Sequence, residues 1–307
     1  MKARGILAAV LAGSTALTGC AALAGTGEPS GTIVVTTNIL GDVVSNIVGD
    51  QANLVVLMEP GADPHSFGIS ARQAAQLESA DLLIYNGLGL EEGVLRHISA
   101  AAEQGVPALA VAESPEPLPF SAEAGTAGLP DPHFWTDPQR VAEGAEHIAD
   151  AVSAHVPAVD PETIRKNAAA YGARLDELDE WMEAAFSGIP ADRRHLVTNH
   201  HVFGYLASRY GFTITGAVIP GGTTLASPSS SDLDQLAGQI RAASVPAIFT
   251  DSSQPDRLAR VLAEEAGLDV AVVGLFTESL GGPGSGAETY LDMMRTNTGR
   301  ISAALSR

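Results

Sequence analysis

Cysteine is almost missing: the chain has one, Cys20, among 307 residues. A lone cysteine has no disulfide partner within the chain, and it rules out a structural zinc cluster built on several thiolates. Positive charge is also scarce. There are 17 Lys and Arg against 36 Asp and Glu, a formal net charge of −19. Such a surface argues against nucleic acid as a partner, and it attracts cations. No apolar run approaches the roughly 20 residues a membrane span requires. No His-Glu-x-x-His helix or similar catalytic motif is present, and residues 113–130, acidic and rich in proline, contain no histidine.

The composition that remains is globular, 45% hydrophobic and 17% charged, and the length suffices for two modest domains with cores of their own. At the start, Met1-Lys2-Ala3-Arg4 places two positive charges ahead of a short apolar run, residues 5–17, which closes on Leu17-Thr18-Gly19-Cys20. This is the layout of a secretory signal peptide over residues 1–19. The resemblance of its cleavage site to the lipobox of bacterial lipoproteins implies that Cys20 is acylated and becomes the mature N-terminus. Residues 20–31 then read as a lipid-bearing tether, and the protein is expected outside the cytoplasm, held to the cell membrane by its lipid.

From there the chain alternates strand and helix. Buried-strand runs fall at residues 33–37, 54–57, 82–85 and 108–111, with helical spacing at 41–48 and 71–78 and again at 138–156, a βαβα pattern that predicts a parallel sheet. A second set of strands is expected at residues 195–198, 212–217, 247–250 and 270–275, with helices near 201–209, 231–243 and 256–266. Between the sets, residues 161–186 contain no internal proline, and Ile164, Ala168, Tyr171, Leu175, Leu178 and Met182 recur at helical spacing. One unbroken helix of that length runs roughly 39 Å, enough to join two lobes as a strut. The expected organisation is an N-terminal α/β lobe over 32–158, a linking helix over 159–187 and a C-terminal α/β lobe over 188–307. Ligands in open α/β sheets bind at the carboxyl ends of strands, here in a cleft between the lobes. Residues 216–231, rich in Gly, Thr, Pro and Ser, read as a long surface loop.

The cleft is where the chemistry gathers. Met58-Glu59-Pro60-Gly61-Ala62-Asp63-Pro64-His65 follows a strand and stiffens at its prolines, so His65 is presented at a strand end. The triplet recurs as Asp131-Pro132-His133 on another proline-fixed loop. Two imidazoles offered in this way point to a metal site, with Asp63 and Asp131 either hydrogen-bonding the rings or shaping the turns. In Thr198-Asn199-His200-His201, His200 leaves the strand end, whereas His201 starts a helix and caps it or faces solvent. His97, His147 and His155 sit in or at the ends of helices, and His195 opens a strand at the end remote from the cleft. A carboxylate completing the set has two candidates, Asp251 and Glu278, each just after a strand, and residue chemistry alone leaves both open.

These motifs resemble the cluster 9 (A-I) solute-binding lipoproteins of metal ABC transporters. The resemblance rests on Val34-Val35-Thr36-Thr37-Asn38-Ile39-Leu40-Gly41-Asp42, the Pro-Gly-x-Asp-Pro-His run, Asp131-Pro132-His133-Phe134-Trp135, Asn167-Ala168-Ala169-Ala170-Tyr171 and Phe203-Gly204-Tyr205, and it covers essentially the whole chain. It implies a TroA-like α/β fold, two lobes with four-stranded parallel sheets on one long rigid helix. It also implies a divalent ion held by two residues from each lobe. Carried over, the ligands are His65, His133, His200 and Glu278, with Glu278 standing where the family usually has aspartate and Asp251 where it has a non-ligating acid. Three imidazoles and a carboxylate suit Zn2+, with Mn2+ or Fe2+ as the alternative. The function implied is capture of the ion and delivery to an ABC transporter permease by a monomeric, non-enzymatic protein. A zinc metallohydrolase, with Glu278 as general base, is the rival from another class.

Overall fold

Burial of short apolar strands sets the architecture. The computed structural model describes residues 31–114, 116–120, 128–267 and 269–306. The expected signal peptide, Cys20 with its lipid, and nearly all of the tether lie outside them. The first half contains β1 (Thr32–Val35), α1 (Asn38–Val48), β2 (Asn53–Val56), α2 (Ala71–Glu78), β3 (Leu82–Tyr85), α3 (Leu95–Glu103), β4 (Ala108–Ala110) and α4 (Pro138–His155). The long α5 (Pro161–Ser187) follows. The second half runs β5 (His195–Thr198), α6 (Gly204–Tyr210), β6 (Thr213–Ala217), α7 (Ser230–Ala243), β7 (Ala247–Asp251), α8 (Arg257–Ala266), β8 (Ala271–Leu275) and α9 (Tyr290–Leu305).

All pairing within the two sheets is parallel, in the orders β2-β1-β3-β4 and β6-β5-β7-β8. The chain thus doubles back once per sheet, between β1 and β3 and between β5 and β7, the topology that opens a crevice beyond the carboxyl ends of strands. The fold is α/β, as expected. Differences from the sequence expectation lie at the edges of elements and in two helices it does not include. Residues 36 and 37 leave β1, because the hydroxyl of Thr37 accepts from the N–H of Leu40 at 3.3 Å and caps α1. The helix expected from residue 201 begins at Gly204. Helices α3 and α9 are not among the expected elements. In α9 the inward face includes Asn297 and Thr298, which break the apolar stripe.

One large core runs through the molecule. It joins Ile33, Val35 and Ile84 of the first sheet to Phe249 and Leu275 of the second through Ile164, Tyr171, Leu175, Leu178, Met182 and Phe186 of α5. Helix α5 is started by Asp160, whose carboxylate accepts from the N–H groups of Glu162 and Thr163, with Pro161 in the first turn. Its 27 residues span about 40 Å. Truncating a side chain such as Leu175, fully buried, to alanine would cost about 2–5 kcal/mol. Smaller clusters cover the outer sheet faces, Val34, Leu77, Leu83 and Ile98 on one and Val197, Leu236, Ile248 and Leu262 on the other. No helix among the described residues is long and apolar enough to cross a membrane.

Candidate metal centre

Four loops at strand ends converge between the sheets. After β2, Gly61 takes a positive φ of 77°, a backbone conformation that side chains disfavour. The carboxylate of Asp63 then accepts the N–H of His65 at 2.9 Å, and its carbonyl accepts the N–H groups of Ser66 and Phe67. This turn, stiffened by Pro60 and Pro64, buries the ring of His65 to 2% exposure. Asp63 therefore shapes the turn and does not touch the ring.

Asp131 plays the other part foreseen for such a residue. Two short antiparallel stretches lead to it, joined by Phe120 N–H to Leu129 carbonyl and Asp131 N–H to Leu118 carbonyl bonds. Its Oδ1 accepts the N–H of His133 at 3.0 Å and lies 2.6 Å from Nδ1 of the same ring. With the proton on Nδ1, Nε2 is a free donor pair for a cation. The Trp135 ring stands edge-on to His133 at 5.2 Å.

His200 leaves β5 with its carbonyl held by the Thr198 hydroxyl at 2.6 Å, and its ring is fully buried. His201 does not cap α6; it is half-buried, three residues ahead of the helix, with its N–H directed to the Gly221 carbonyl. His195 lies with Nδ1 3.2 Å from the Thr215 hydroxyl, outside the cluster.

Glu278 follows β8, and Asp251 holds its loop. Oδ2 of Asp251 accepts the N–H groups of Thr277 and Glu278 at 3.3 and 3.2 Å and the Thr277 hydroxyl, while Oδ1 accepts the N–H of Ser253 at 2.6 Å. Both oxygens of Asp251 are thus committed to shaping the loop. From the opposite side the Trp135 indole donates to the Thr277 carbonyl at 2.8 Å, and Asn38 bonds both the Ser279 hydroxyl at 2.7 Å and the Leu280 N–H at 2.9 Å.

The result is a compact, buried set: His65, His133, His200 and Glu278 each offer one atom, and these lie within 4.8 Å of one another. Nε2 of His200 and of His133 stand 3.0 and 3.6 Å from Oε1 of Glu278, and Nε2 of His65 stands 3.8 Å from Oε2. A tetrahedron with metal–donor bonds of 2.0–2.1 Å has edges of about 3.3 Å, so the spacing fits one cation at the centre. Nε2 of all three rings and both Glu278 oxygens are buried without a hydrogen-bond partner. Buried polar atoms are ordinarily satisfied, and a divalent ion would satisfy all of these together.

Electrostatics agree with the donor chemistry. Burial pushes His65 down to about 4 and His133 down to about 3, against the pull of Glu278, and it lowers His200 as well. The imidazoles are therefore neutral donors at neutral pH. Burial raises Glu278 to about 7, against the influence of His133 and His65, and raises Asp131 to about 7.

What sequence reasoning misses is the covering of the site. Residues 216–231 are not simply a surface loop. Gly222 packs so closely on the Phe120 ring that a Cβ there would lie 2.2 Å from it. The Thr223 and Thr224 hydroxyls reach Glu92 at 3.3 Å and Asp63 at 2.6 Å. Composition gave the loop but carried no signal of where it docks.

Known proteins are similar to this chain. The family model described as ZnuA, zinc-uptake complex component A periplasmic, matches residues 33–304. The zinc-binding protein TroA of Treponema pallidum (strain Nichols) is 33% identical over 303 residues, 97% of this chain and 96% of that one. The manganese-binding lipoprotein MntA of Halalkalibacterium halodurans is 29% identical over 275 residues, covering 90% and 88%. The iron-binding protein YfeA of Yersinia pestis is 30% identical over 277 residues, covering 88% and 85%. The solved structure of the periplasmic zinc binding protein TroA superposes with a TM-score of 0.81 at 31% identity, over 90% of this chain and 99% of that one.

Proposed function

The chain belongs to the ZnuA family of periplasmic metal-binding components of uptake transporters, and from that premise we propose that its cargo is Zn2+, bound by His65, His133, His200 and Glu278. The protein is a substrate-binding component of an ABC transporter for a divalent metal and not an enzyme. It works outside the cytoplasm and hands the ion to a membrane permease. A lipid on Cys20, in line with the lipoproteins among its relatives, would keep it at the membrane as a monomer.

The observation that carries the zinc reading is the donor set. Three buried neutral imidazoles with one carboxylate favour zinc, which accepts nitrogen-rich, four-coordinate sites, whereas manganese prefers more oxygen. Asp63, Asp131 and Asp251 act behind the donors: one shapes the His65 turn, one fixes the tautomer of His133, one holds the Glu278 loop. The ion enters with the three imidazoles already neutral, and Glu278, as a ligand, is not free to act as a base on a bound water.

One observation favours a second reading. Both Glu278 oxygens face the cluster, Oε1 toward His200 and His133 and Oε2 toward His65, so two-oxygen binding would give five donors and admit Mn2+ or Fe2+. Relatives described as manganese- and iron-binding are consistent with it. Protein purified without added metal, assayed for its metal content and then titrated with zinc against manganese, separates the two. Retention of manganese in the presence of equimolar zinc would overturn the zinc assignment.

A further inference from the structure

We propose that Thr224 and Gln254 form a latch on Asp63 that holds His65 in place and sets how fast the metal leaves, an inference that rests on the metal-binding reading above. Asp63 is 7% exposed. Its Oδ1 accepts the N–H of His65 at 2.9 Å, and its Oδ2 accepts the Thr224 hydroxyl at 2.6 Å, the Gln254 amide at 2.8 Å and the Ser66 hydroxyl at 3.2 Å. Ser66 belongs to the same turn. Thr224 and Gln254 come from the other sheet, in the loops after β6 and β7. A buried carboxylate requires donors, and stripping two of them is costly.

The latch connects ligands on opposite sides of the cleft. The N–H of Gln254 donates to the Asp251 carbonyl at 3.2 Å, and the Asp251 carboxylate accepts the N–H of Glu278 at 3.2 Å. A continuous run of hydrogen bonds therefore passes from the backbone of His65 through Asp63, Gln254 and Asp251 to the backbone of Glu278. The bound ion adds to it, since a dication at the centre attracts the Asp63 carboxylate and resists its withdrawal from the cleft.

The other seam is stronger. There the loop of Glu278 is tied to Trp135, to Asn38 and to Gly61, whose N–H reaches the Ser279 hydroxyl at 2.8 Å and the Leu280 carbonyl at 3.1 Å. Trp135, Asn38, Ser279 and Leu280 are buried and Gly61 is exposed, whereas Thr224 and Gln254 are both half-buried. Local opening starts where buried contacts are fewest. The Asp63 side opens first, and His65 is the ligand released.

The test compares the full chain with the double variant Thr224→Val and Gln254→Leu and with Thr224→Ser. Each is loaded with Zn2+ for a chelator-chase dissociation rate and with Co2+ for its visible absorption spectrum. The double variant should lose Zn2+ roughly tenfold or more faster, with an unchanged Co2+ spectrum because the four donors remain, and Thr224→Ser should match the wild type. A double-variant dissociation rate within twofold of wild type, a shifted Co2+ spectrum, or a Thr224→Ser rate as fast as that of the double variant would overturn the latch alone. A wild-type chain that held neither ion would sink the metal-binding reading as well.

Discussion

Asp131 and His133 are joined twice, through the backbone N–H at 3.0 Å and through Nδ1 at 2.6 Å. One carboxylate oxygen thereby fixes both the position of the residue and the tautomer of its ring. The Oδ2 atom of the same carboxylate faces Gly204, where a Cβ would lie 2.5 Å away. That approach is possible only for glycine.

Asp131→Asn should therefore weaken zinc binding by about 10–100-fold, the usual effect of losing the partner behind a ligating histidine. Gly204→Ala should weaken it in the same direction, although Gly204 touches none of the donors, because Asp131 must shift. Competition titration against a chromophoric chelator reads both, with circular dichroism as the check on folding. Wild-type affinity in Asp131→Asn would mean that the His133 tautomer is set by other contacts.

The four donors should be separable from their histidine neighbours. His200→Ala and Glu278→Ala are each expected to lower zinc affinity by more than about 100-fold, beyond the range for supporting residues. His201→Ala and His195→Ala should remain within about threefold of wild type. Asp251→Ala should fall between, since it frees the Glu278 loop without removing a donor. Calorimetry on the set decides the fourth ligand: a full loss in Asp251→Ala together with none in Glu278→Ala would transfer that role to Asp251.

Metal removal should be visible in heat stability. The donors come from loops on both sheets, so the ion binds the folded chain and not the unfolded one. At a thousandfold excess over Kd this linkage contributes about 4 kcal/mol, or a rise in Tm of roughly 8 °C or more. EDTA should reverse the rise, and His200→Ala should abolish most of it.

A separate pH dependence belongs to α5. Asp179 is buried, which by itself opposes its ionisation, yet hydrogen bonds from the Arg209 guanidinium and the Tyr210 hydroxyl outweigh this and hold its carboxyl below the usual range. A folded-state value below the unfolded one, about 3.9, gives stability that is full above pH 4 and is lost as pH falls through the folded value. Solvent on the Arg209 side tempers the size of the effect. Asp179→Asn should lower Tm by roughly 3–5 °C at pH 7, and the gap should narrow as pH falls below the unfolded value and through the lower folded one. Differential scanning calorimetry across that range tests it; a gap independent of pH would assign the loss to packing.

Periodicity and proline placement made much of this legible in the sequence. The runs at 82–85, 195–198 and 71–78 are elements with those bounds, because short continuous apolar runs and a Ser70–Gln73 capping box are local signals. His65 and His133 stood out for the same reason, each on a loop that proline removes from helical spacing. His200 and Glu278 were readable as residues at strand ends, although what favours Glu278 over Asp251, the hydrogen bonds that commit Asp251 to its loop, carries no local signal. Helix α9 was hidden by buried Asn297, whose amide side chain bonds both the N–H and the carbonyl of Phe276. A polar residue spent inside on a distant backbone looks like surface in a one-dimensional pattern. The docking of residues 222–224 was hidden because nothing local encodes a partner more than a hundred positions away.

The core that threads both sheets through α5 also limits how a receptor could recognise this protein. Swinging one half away from the other would tear Leu175, Leu178 and Met182 from neighbours on both sides, so emptying the site leaves the overall silhouette nearly fixed. A permease distinguishing a laden carrier from a spent one must then sense the rim of the cleft, where residues 222–224 meet Phe120, Glu92 and Asp63, and not the angle between its halves.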